Sequence, residues 1–339
     1  MNKYNFDNRI RIEETRDFEN GIFLNRAERT EPWSEEIIYN LKKNLDFNKI
    51  GYYYDLNDFH IKYSNYINIQ KEQLLMTNGA DEAIRFIFNT FANKNDNIMF
   101  PEPTYGMYNV YTNMYKCNAI ILTYNENFKI DKKKLYQNLN KVKIFFLPNP
   151  NHTEDNFMEN EISNICEILT KNEGIIVVDE TYYGFGSPTM INLLDKYNNL
   201  YIIRSFSKTC GLPSIRLGCL LSNKNINISN LRGGYEVSYF TFKIAEYFLD
   251  NIYIINNYID ECIKGRKYLI NYLEDNNIKY NGNTGYIFNI VLNNIEQTKV
   301  VHSKLWKEKI YTRIYKNTIS ITICPIKYIE KFLYEFKMC

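Results

Sequence analysis

The sequence has few of the residues that build metal sites or disulfide frameworks. Among 339 residues there are only 3 His, and the 7 Cys are widely spaced with no C-x-x-C pair. Zinc sites and small disulfide-stapled folds need closely spaced Cys and His, so both classes are excluded. An odd number of scattered Cys indicates reduced thiols, which are typical of the cytoplasm. The sequence therefore predicts a cytoplasmic protein with no metal site.

Long apolar runs and an excess of one charge are also missing. The chain carries 41 Lys and Arg against 39 Asp and Glu, a formal net charge of +2. This balance gives no electrostatic footprint for nucleic acid or for an anionic membrane. The longest clean aliphatic run is Ile175–Val178, and residues 1–14 contain no apolar stretch like that of a secretion signal. We expect neither a nucleic-acid partner nor a membrane partner.

Short apolar runs alternate with helical patterns from about residue 74. The runs are continuous in apolar character, which is typical of parallel strands covered on both faces, and the alternation predicts a doubly wound α/β domain with a mostly parallel sheet. The predicted strands are Asn97–Phe100, Ala119–Tyr124, Lys143–Leu147, Gly174–Asp179, Leu200–Arg204 and Leu217–Ser222.

The rhythm changes after about residue 237. Tyr239–Asn277 has one long helical pattern, and strand-like stretches follow at Tyr286–Leu292, Ile310–Tyr315 and Thr318–Ile323. This order predicts a smaller α+β domain. We divide the chain into an N-terminal arm that joins the small domain (1–30), a large domain (31–236) and a small C-terminal domain (237–339).

A lysine between small hydroxyl residues follows the predicted strand Leu200–Arg204. In Ser205-Phe206-Ser207-Lys208, the amine of Lys208 could form an imine with an aldehyde cofactor. Ser205, Ser207 and Arg216 could hold a phosphate through hydroxyl and guanidinium contacts. Taken alone, the stretch is more typical of a surface loop with a solvated lysine.

An acid ends the strand Gly174–Asp179. A carboxylate at the end of an aliphatic strand is costly unless it has a partner, and a protonated pyridine nitrogen is one such partner for Asp179. Tyr182 lies three residues further on and could donate to a phenolic oxygen. The alternative is an ordinary aspartate that caps a helix.

Two further stretches suit the same kind of ligand. Gly79-Ala80-Asp81 begins a predicted helix whose free N–H groups could bind a phosphate, and Tyr105 follows the strand Asn97–Phe100, where an aromatic ring could stack on a planar cofactor. Each stretch alone is also compatible with a plain helix start or turn.

Together these motifs resemble the fold type I PLP-dependent aminotransferases (class I/II), in the branch similar to histidinol-phosphate aminotransferases and threonine-phosphate decarboxylases. The resemblance runs from Leu24–Glu28 through Pro103–Tyr108, Asp179–Phe185 and Ser205–Lys208 to the C-terminal strands. It implies the PLP-dependent transferase fold, with a large sheet domain and a smaller α+β domain, and pyridoxal 5′-phosphate (PLP) as the cofactor.

The resemblance also assigns roles to residues. Lys208 is the Schiff-base lysine and, with Asp179 and Tyr182, forms the catalytic set, while Asn25 is a substrate residue. A homodimer is implied, with Tyr53 reaching the cofactor phosphate of the partner subunit. The other cofactor-binding residues implied are Ala80, Asp81, Tyr105, Ser205, Ser207 and Arg216.

Two departures from the family pattern bear on the site. Where the family has an Asn that contacts the cofactor's phenolic oxygen, an ungapped match gives His152 and a one-residue shift gives Asn151. Where the family has an Arg that grips a substrate carboxylate, this sequence has Ser320, which cannot make a bidentate ion pair. The upstream Arg313 is kept and is implied to bind a substrate phosphate, although a solvated charge at a strand end is the plain alternative.

The sequence therefore predicts a PLP-dependent aminotransferase with a ping-pong mechanism and small-molecule substrates, one of them phosphorylated or free of a carboxylate. Glutamate is a plausible amino donor if another basic residue, such as Arg232, replaces the missing Arg. A decarboxylase of a phosphorylated amino acid uses the same cofactor residues and remains an alternative. A non-catalytic PLP-binding protein is the alternative from another class.

Overall fold

The structure is a computed structural model that describes residues 15–125, 128–151, 156–226, 228–231, 234 and 237–337. Its ten helices in the described residues are α1 (Glu35–Asn44), α2 (Asn57–Tyr66), α3 (Gly79–Phe91), α4 (Met107–Met114), α5 (Lys132–Asn138), α6 (Glu159–Thr170), α7 (Tyr239–Asp250), α8 (Ile252–Asp275), α9 (Ile295–Lys307) and α10 (Ile326–Lys337). None of the helices in these residues is both long enough and apolar enough to cross a membrane.

The strands form two main sheets and one small pair. The larger sheet has seven strands in the order β2-β8-β7-β6-β5-β3-β4, and all run parallel except β8. The strands are β1 (Ile22–Phe23), β2 (Leu74–Thr77), β3 (Asn97–Glu102), β4 (Asn118–Thr123), β5 (Ile144–Pro148), β6 (Ile175–Asp179), β7 (Leu200–Ser205), β8 (Gly218–Leu221), β9 (Tyr280–Asn281), β10 (Ile287–Val291), β11 (Ile310–Tyr311), β12 (Arg313–Tyr315) and β13 (Thr318–Thr322).

Helices cover both faces of the large sheet, which explains why its central strands are apolar without alternation. Every residue of β5, β6 and β7 is buried. On one face, α3 inserts Ile84 and Phe88 into a core shared with Tyr108. On the other face, Ile165 of α6 and Phe242 of α7 belong to the second core. The predicted α/β domain with a mostly parallel sheet is confirmed.

The small sheet has the order β12-β13-β10-β9 and is antiparallel throughout. The prediction of one strand over Ile310–Tyr315 was wrong, because the stretch is divided at Thr312. Before it, β11 pairs with β1, and after it β12 pairs with β13. The carbonyl of Thr312 accepts a hydrogen bond from the indole N–H of Trp306 at 3.0 Å, which gives that carbonyl a partner outside the sheet.

The long helical pattern over Tyr239–Asn277 also contains a break that the sequence does not reveal. Helix α7 ends at Asp250 and α8 begins at Ile252, and between them Asn251 has non-helical backbone angles (φ −121°, ψ 44°). The side-chain amide of Asn251 donates to the carbonyl of Tyr247 at 2.8 Å. Asn favours helix ends because its side chain bonds to nearby backbone, so a single polar residue marks the break without Gly or Pro.

The N-terminal segment packs along the small sheet. Strand β1 pairs with β11, and the carbonyl of Leu24 accepts a hydrogen bond from the N–H of Thr322 at 2.8 Å. Helix α8 links the two sheets through Arg266, whose buried guanidinium donates to the carbonyls of Phe185 (3.1 Å) and Gly285 (2.8 Å). These contacts suit the domain boundaries given above, which stay a prediction.

Candidate active site

The candidate site lies where several parallel strands end, the usual place for a ligand in an open α/β sheet. Asp179 ends β6, Ser205 ends β7, and the loop after β2 leads directly into α3 at Gly79. Lys208 lies in the turn after β7. The topology therefore brings the residues selected from the sequence to one edge of the sheet.

Lys208 is partly buried, and its amine donates a hydrogen bond to the backbone carbonyl of Arg26 at 2.7 Å. Burial lowers the pKa of the Lys208 amine to about 8, because a charged ammonium loses its hydration there. Glu28 works against this, while the positive charges of Arg313 and Arg216 lower the pKa further. A lysine with such a pKa is available in its neutral form near neutral pH.

Asp179 is buried, and three donors bond to its carboxylate: the Tyr108 hydroxyl and both the N–H and the hydroxyl of Thr181. Its Oδ2 accepts from the hydroxyl of Tyr108 at 2.6 Å, and its Oδ1 accepts from the N–H of Thr181 at 3.0 Å. Burial raises the pKa of Asp179, and the bonds from Thr181 and Tyr108 oppose that rise. Tyr108 was missed by the sequence analysis, although it belongs to the quoted Pro103–Tyr108 motif, since nothing marks it among 30 Tyr.

Two further tyrosines border this carboxylate. The hydroxyl of Tyr105 donates to Oδ1 of Asp81 at 2.6 Å, and its ring meets that of Tyr108 edge to face at 6.0 Å. Burial raises the pKa of Tyr105 and of Tyr182, and the charge of Asp179 adds to both effects. Both phenols therefore stay protonated over the physiological range and can act as donors.

A cradle for an anion forms at the start of α3. The guanidinium of Arg216 lies 3.4 Å from Oδ2 of Asp81 and 3.4 Å from Oγ of Ser207, and the N–H of Ser207 donates to Oγ of Ser205 at 3.1 Å. Gly79 has a left-handed backbone (φ 72°), and a Cβ there would collide with the guanidinium of Arg216. The space depends on this glycine.

These groups fit PLP in their chemistry. A buried carboxylate (Asp179), a lysine (Lys208) and a cradle of N–H, hydroxyl and guanidinium donors are the partners that a pyridine nitrogen, an aldehyde and a phosphate require. Arg313 also acts electrostatically on Lys208 and on Tyr182, so β12 faces the same space.

The remaining predicted residues lie around this group or outside it. Asn151 is buried beyond the end of β5, and Asn25 is buried with its Oδ1 3.3 Å from Arg16. Tyr53 lies on the exposed surface of the chain. Ser320 lies opposite Arg313 in the small sheet. His152 and Arg232 fall outside the described residues.

A family model described as "Aminotransferase class I and II" matches residues 27–330. The chain belongs to this family. A histidinol-phosphate aminotransferase from Buchnera aphidicola subsp. Cinara cedri is 33% identical over 89% of this chain and 86% of its own length. A protein of the same name from Clostridium kluyveri is 31% identical over 82% of this chain and 79% of its own length.

Solved structures agree on the fold. The histidinol-phosphate aminotransferase from Sinorhizobium meliloti, in complex with PLP, aligns with a TM-score of 0.83 at 14% identity and covers 93% of this chain and 89% of its own. That from Clostridium acetobutylicum gives 0.79 at 21% identity, over 93% and 98%. The predicted aminotransferase class, its PLP cofactor and the fold type I architecture are confirmed, and the aminotransferase acts on small molecules.

Proposed function

We propose that Lys208 carries PLP in this aminotransferase and that Asp179 holds its ring nitrogen. Tyr182 donates to the phenolic oxygen, and Tyr105 covers one face of the ring. The phosphate lies in the cradle formed by the N–H groups of Ala80 and Asp81 together with Ser205, Ser207 and Arg216. The support is the convergence of these groups at one sheet edge, with Asp179 held at 2.6 Å by Tyr108.

The chain's own residues divide the work of proton transfer. PLP, when bound, withdraws electrons from the substrate carbon that bears the amino group. Lys208, with a pKa lowered to about 8, can accept a proton from that carbon and return it. Burial raises the pKa of Asp179, and the hydrogen bonds from Thr181 and Tyr108 favour its ionised form. Reduction with borohydride followed by peptide mass spectrometry is expected to find the cofactor on Lys208, and a label elsewhere would overturn the assignment.

We further propose that one substrate is a small phosphorylated amine, of which histidinol phosphate is the type suggested by the names of the relatives. The observation that carries this is the pair Arg313 and Ser320, which are opposite each other on β12 and β13. The hydroxyl of Ser320 donates to Oδ1 of Asn289 at 2.6 Å, so neutral groups occupy the position where the family has a positively charged Arg. Arg313 is the charged member of this pair, and its positive charge acts to lower the pKa of both Lys208 and Tyr182.

The test compares histidinol phosphate with histidinol. We expect Arg313→Ala to raise KM for the phosphorylated substrate at least about tenfold more than for histidinol, because a charge-assisted bond to a phosphate contributes about 1.5–3 kcal/mol. Lys316→Ala is the matched control, since it removes a positive charge from the turn of the same hairpin. Equal effects of Arg313→Ala on both substrates would remove the phosphate argument. A separate assay with a phosphorylated amino acid tests the decarboxylase, which would release CO₂ from it without a keto acid.

We also propose a homodimer in which Tyr53 reaches the partner's site. Large apolar side chains are exposed along one short segment: Phe47 is 62% exposed, Ile50 69% and Tyr53 80%. An exposed apolar patch of this kind is typical of an interface. Sedimentation is expected to give twice the chain mass, and Tyr53→Phe to weaken PLP binding at unchanged dimer content. A monomer with full activity would exclude this arrangement.

We place the protein in the cytoplasm. Six of the seven Cys are described, and all six are free thiols, four of them buried. Reduced thiols persist in a reducing compartment. Cell fractionation with a chain-specific antibody tests this, and recovery from an oxidising compartment would contradict it.

A further inference from the structure

Arg16 makes a partly buried ion pair with Glu28, close in sequence to the residue that holds the Lys208 amine. Its side chain is only 4% exposed, and its two terminal nitrogens lie 2.5 Å and 3.3 Å from the two carboxylate oxygens of Glu28. A bidentate ion pair of this kind fixes the orientation of both side chains. The rings of Phe18 and Phe23 pack against the guanidinium, with its carbon 5.1 Å and 4.8 Å from the ring centres.

The same guanidinium contacts Asn25 at 3.3 Å. Asn25 and Glu28 flank Arg26, whose carbonyl oxygen accepts the hydrogen bond from the Lys208 amine at 2.7 Å. On the other side, the backbone of this segment is held by Thr322, whose hydroxyl lies 3.0 Å from the N–H of Ala27. Arg16 is thus bonded to both side chains that bracket the acceptor of Lys208.

Charge gives the pair a second consequence. The groups that act on Lys208 come from four parts of the chain: Glu28 and Asp81 favour its protonated form, while Arg216 and Arg313 oppose it. Glu28 is the largest of these charges in its effect. Because the guanidinium of Arg16 lies against Glu28, its positive charge offsets that carboxylate at the position of Lys208.

We propose that Arg16 is a positioning residue for Lys208, which fixes the Asn25–Glu28 segment that holds the lysine amine and partly offsets the charge of Glu28. This rests on the function proposed for Lys208. Without Arg16, the carboxylate of Glu28 loses this ion-pair partner, its negative charge acts more strongly on the amine, and Lys208 keeps its proton to higher pH.

The experiment is a pH titration of the visible absorbance of the PLP-loaded protein, which reads the pKa of the Lys208 nitrogen independently of turnover. We expect Arg16→Ala to raise this pKa by about one pH unit, and Glu28→Gln to lower it. The double variant Arg16→Ala/Glu28→Gln is expected to return to within about 0.3 of the wild-type value, since both charges are then gone. Arg16→Lys keeps the charge and should largely retain the wild-type pKa.

Lys309→Ala is the matched control. It removes the neighbouring ion pair between Lys309 and Asp17, which holds the same N-terminal segment at 2.7 Å but places no charge beside Lys208. We expect it to leave the titration unchanged. A role of Arg16 limited to structure would make Arg16→Ala and Lys309→Ala alike, and Glu28→Gln would not correct either.

The outcomes separate this inference from the proposed function. If borohydride fixes the cofactor on Lys208 and the pKa is the same in wild type, Arg16→Ala and Glu28→Gln, the role of Arg16 is overturned and the proposed function stands. If Lys208 carries no cofactor, both fall. Should Arg16→Ala not fold, Arg16→Gln replaces it, because it can still donate a hydrogen bond to Glu28 but carries no charge. A raised pKa in Arg16→Gln supports the charge argument, and an unchanged pKa contradicts it.

Discussion

The hydroxyl of Tyr108 donates to Oδ2 of Asp179 at 2.6 Å, across 71 residues of sequence and inside the protein. The ring of Tyr108 is fixed by stacking on Phe146, with ring centres 4.9 Å apart and planes at 16°. The Tyr108 hydroxyl therefore orients the carboxylate of Asp179, because stacking holds the tyrosine ring in place. Burial raises the pKa of Asp179, and this bond is one of the interactions that oppose that rise.

Tyr108→Phe is expected to weaken PLP binding about tenfold, because a hydrogen bond to a buried charged group contributes about 1.5–3 kcal/mol. Titration of the protein with PLP, followed by visible absorbance, measures this affinity. Tyr115→Phe is the control, since its hydroxyl bonds to Asn89 in the same core rather than to Asp179. Equal affinities in Tyr108→Phe and Tyr115→Phe would falsify the role of Tyr108.

Lys208 makes stability depend on pH in a definite direction. Its pKa is about 8 in the folded protein and about 10.4 in an unfolded chain. Between these values the unfolded chain binds more protons, so the free energy of unfolding rises with pH, by at most on the order of 3 kcal/mol. Denaturation of the PLP-free protein at pH 7 to 10.5 should show this rise. It should be smaller in Lys208→Met, and parallel pH profiles in the two proteins would count against a buried amine.

Glu180, next in sequence to Asp179, serves stability instead of the site. It is buried and accepts from Arg204 at 2.9 Å and from the N–H of Met190 at 2.6 Å. Removing one partner of a buried pair leaves an uncompensated charge, so Glu180→Gln should cost about 3–5 kcal/mol in urea denaturation. Lys264→Ala, which breaks the exposed pair with Glu261, should cost less than about 0.5 kcal/mol. Similar small losses in both variants would contradict the difference.

Gly79 is the position in the anion cradle where an added Cβ would displace the guanidinium of Arg216. Gly79→Ala adds a strained left-handed backbone and a collision with Arg216, and we expect about 1–3 kcal/mol loss of stability together with weaker PLP binding. Gly51→Ala serves as the comparison, because nothing lies within 4 Å of its added Cβ. Both properties are measurable by thermal unfolding with and without PLP. Wild-type PLP affinity in Gly79→Ala would show that the cradle tolerates a methyl group.

The sequence predicts those parts of the fold whose pattern is local. The apolar run of β6 and the acid that ends it could be identified because a buried strand and its polar end leave a clear trace in composition. Strand β2 was not predicted, and the two-residue strands β1 and β9 are too short to leave a pattern in the sequence. At the division, the carbonyl of Thr312 accepts a hydrogen bond from Trp306 of helix α9, a contact that the sequence pattern does not reveal.

The candidate site follows the same rule. Lys208, Asp179 and Arg216 stand in recognisable motifs, so they were found before their positions were known. Tyr108 acquires its role only when α4 packs against the end of β6, and Arg16 only when the N-terminal segment folds back beside Glu28. These roles arise from contacts between residues far apart in the sequence, and the residue type alone does not reveal such contacts.

The hydrogen bonds that Arg266 makes to two loops have a consequence for the thermal unfolding of the protein. The guanidinium of Arg266 joins the carbonyl of Phe185, three residues beyond Tyr182, to that of Gly285, just before β10. Pulling these loops apart leaves a buried cation and its acceptors unsatisfied, which is costly. The two sheets should therefore melt in a single cooperative step, and in Arg266→Met the C-terminal sheet is expected to exchange its amide hydrogens before the large one.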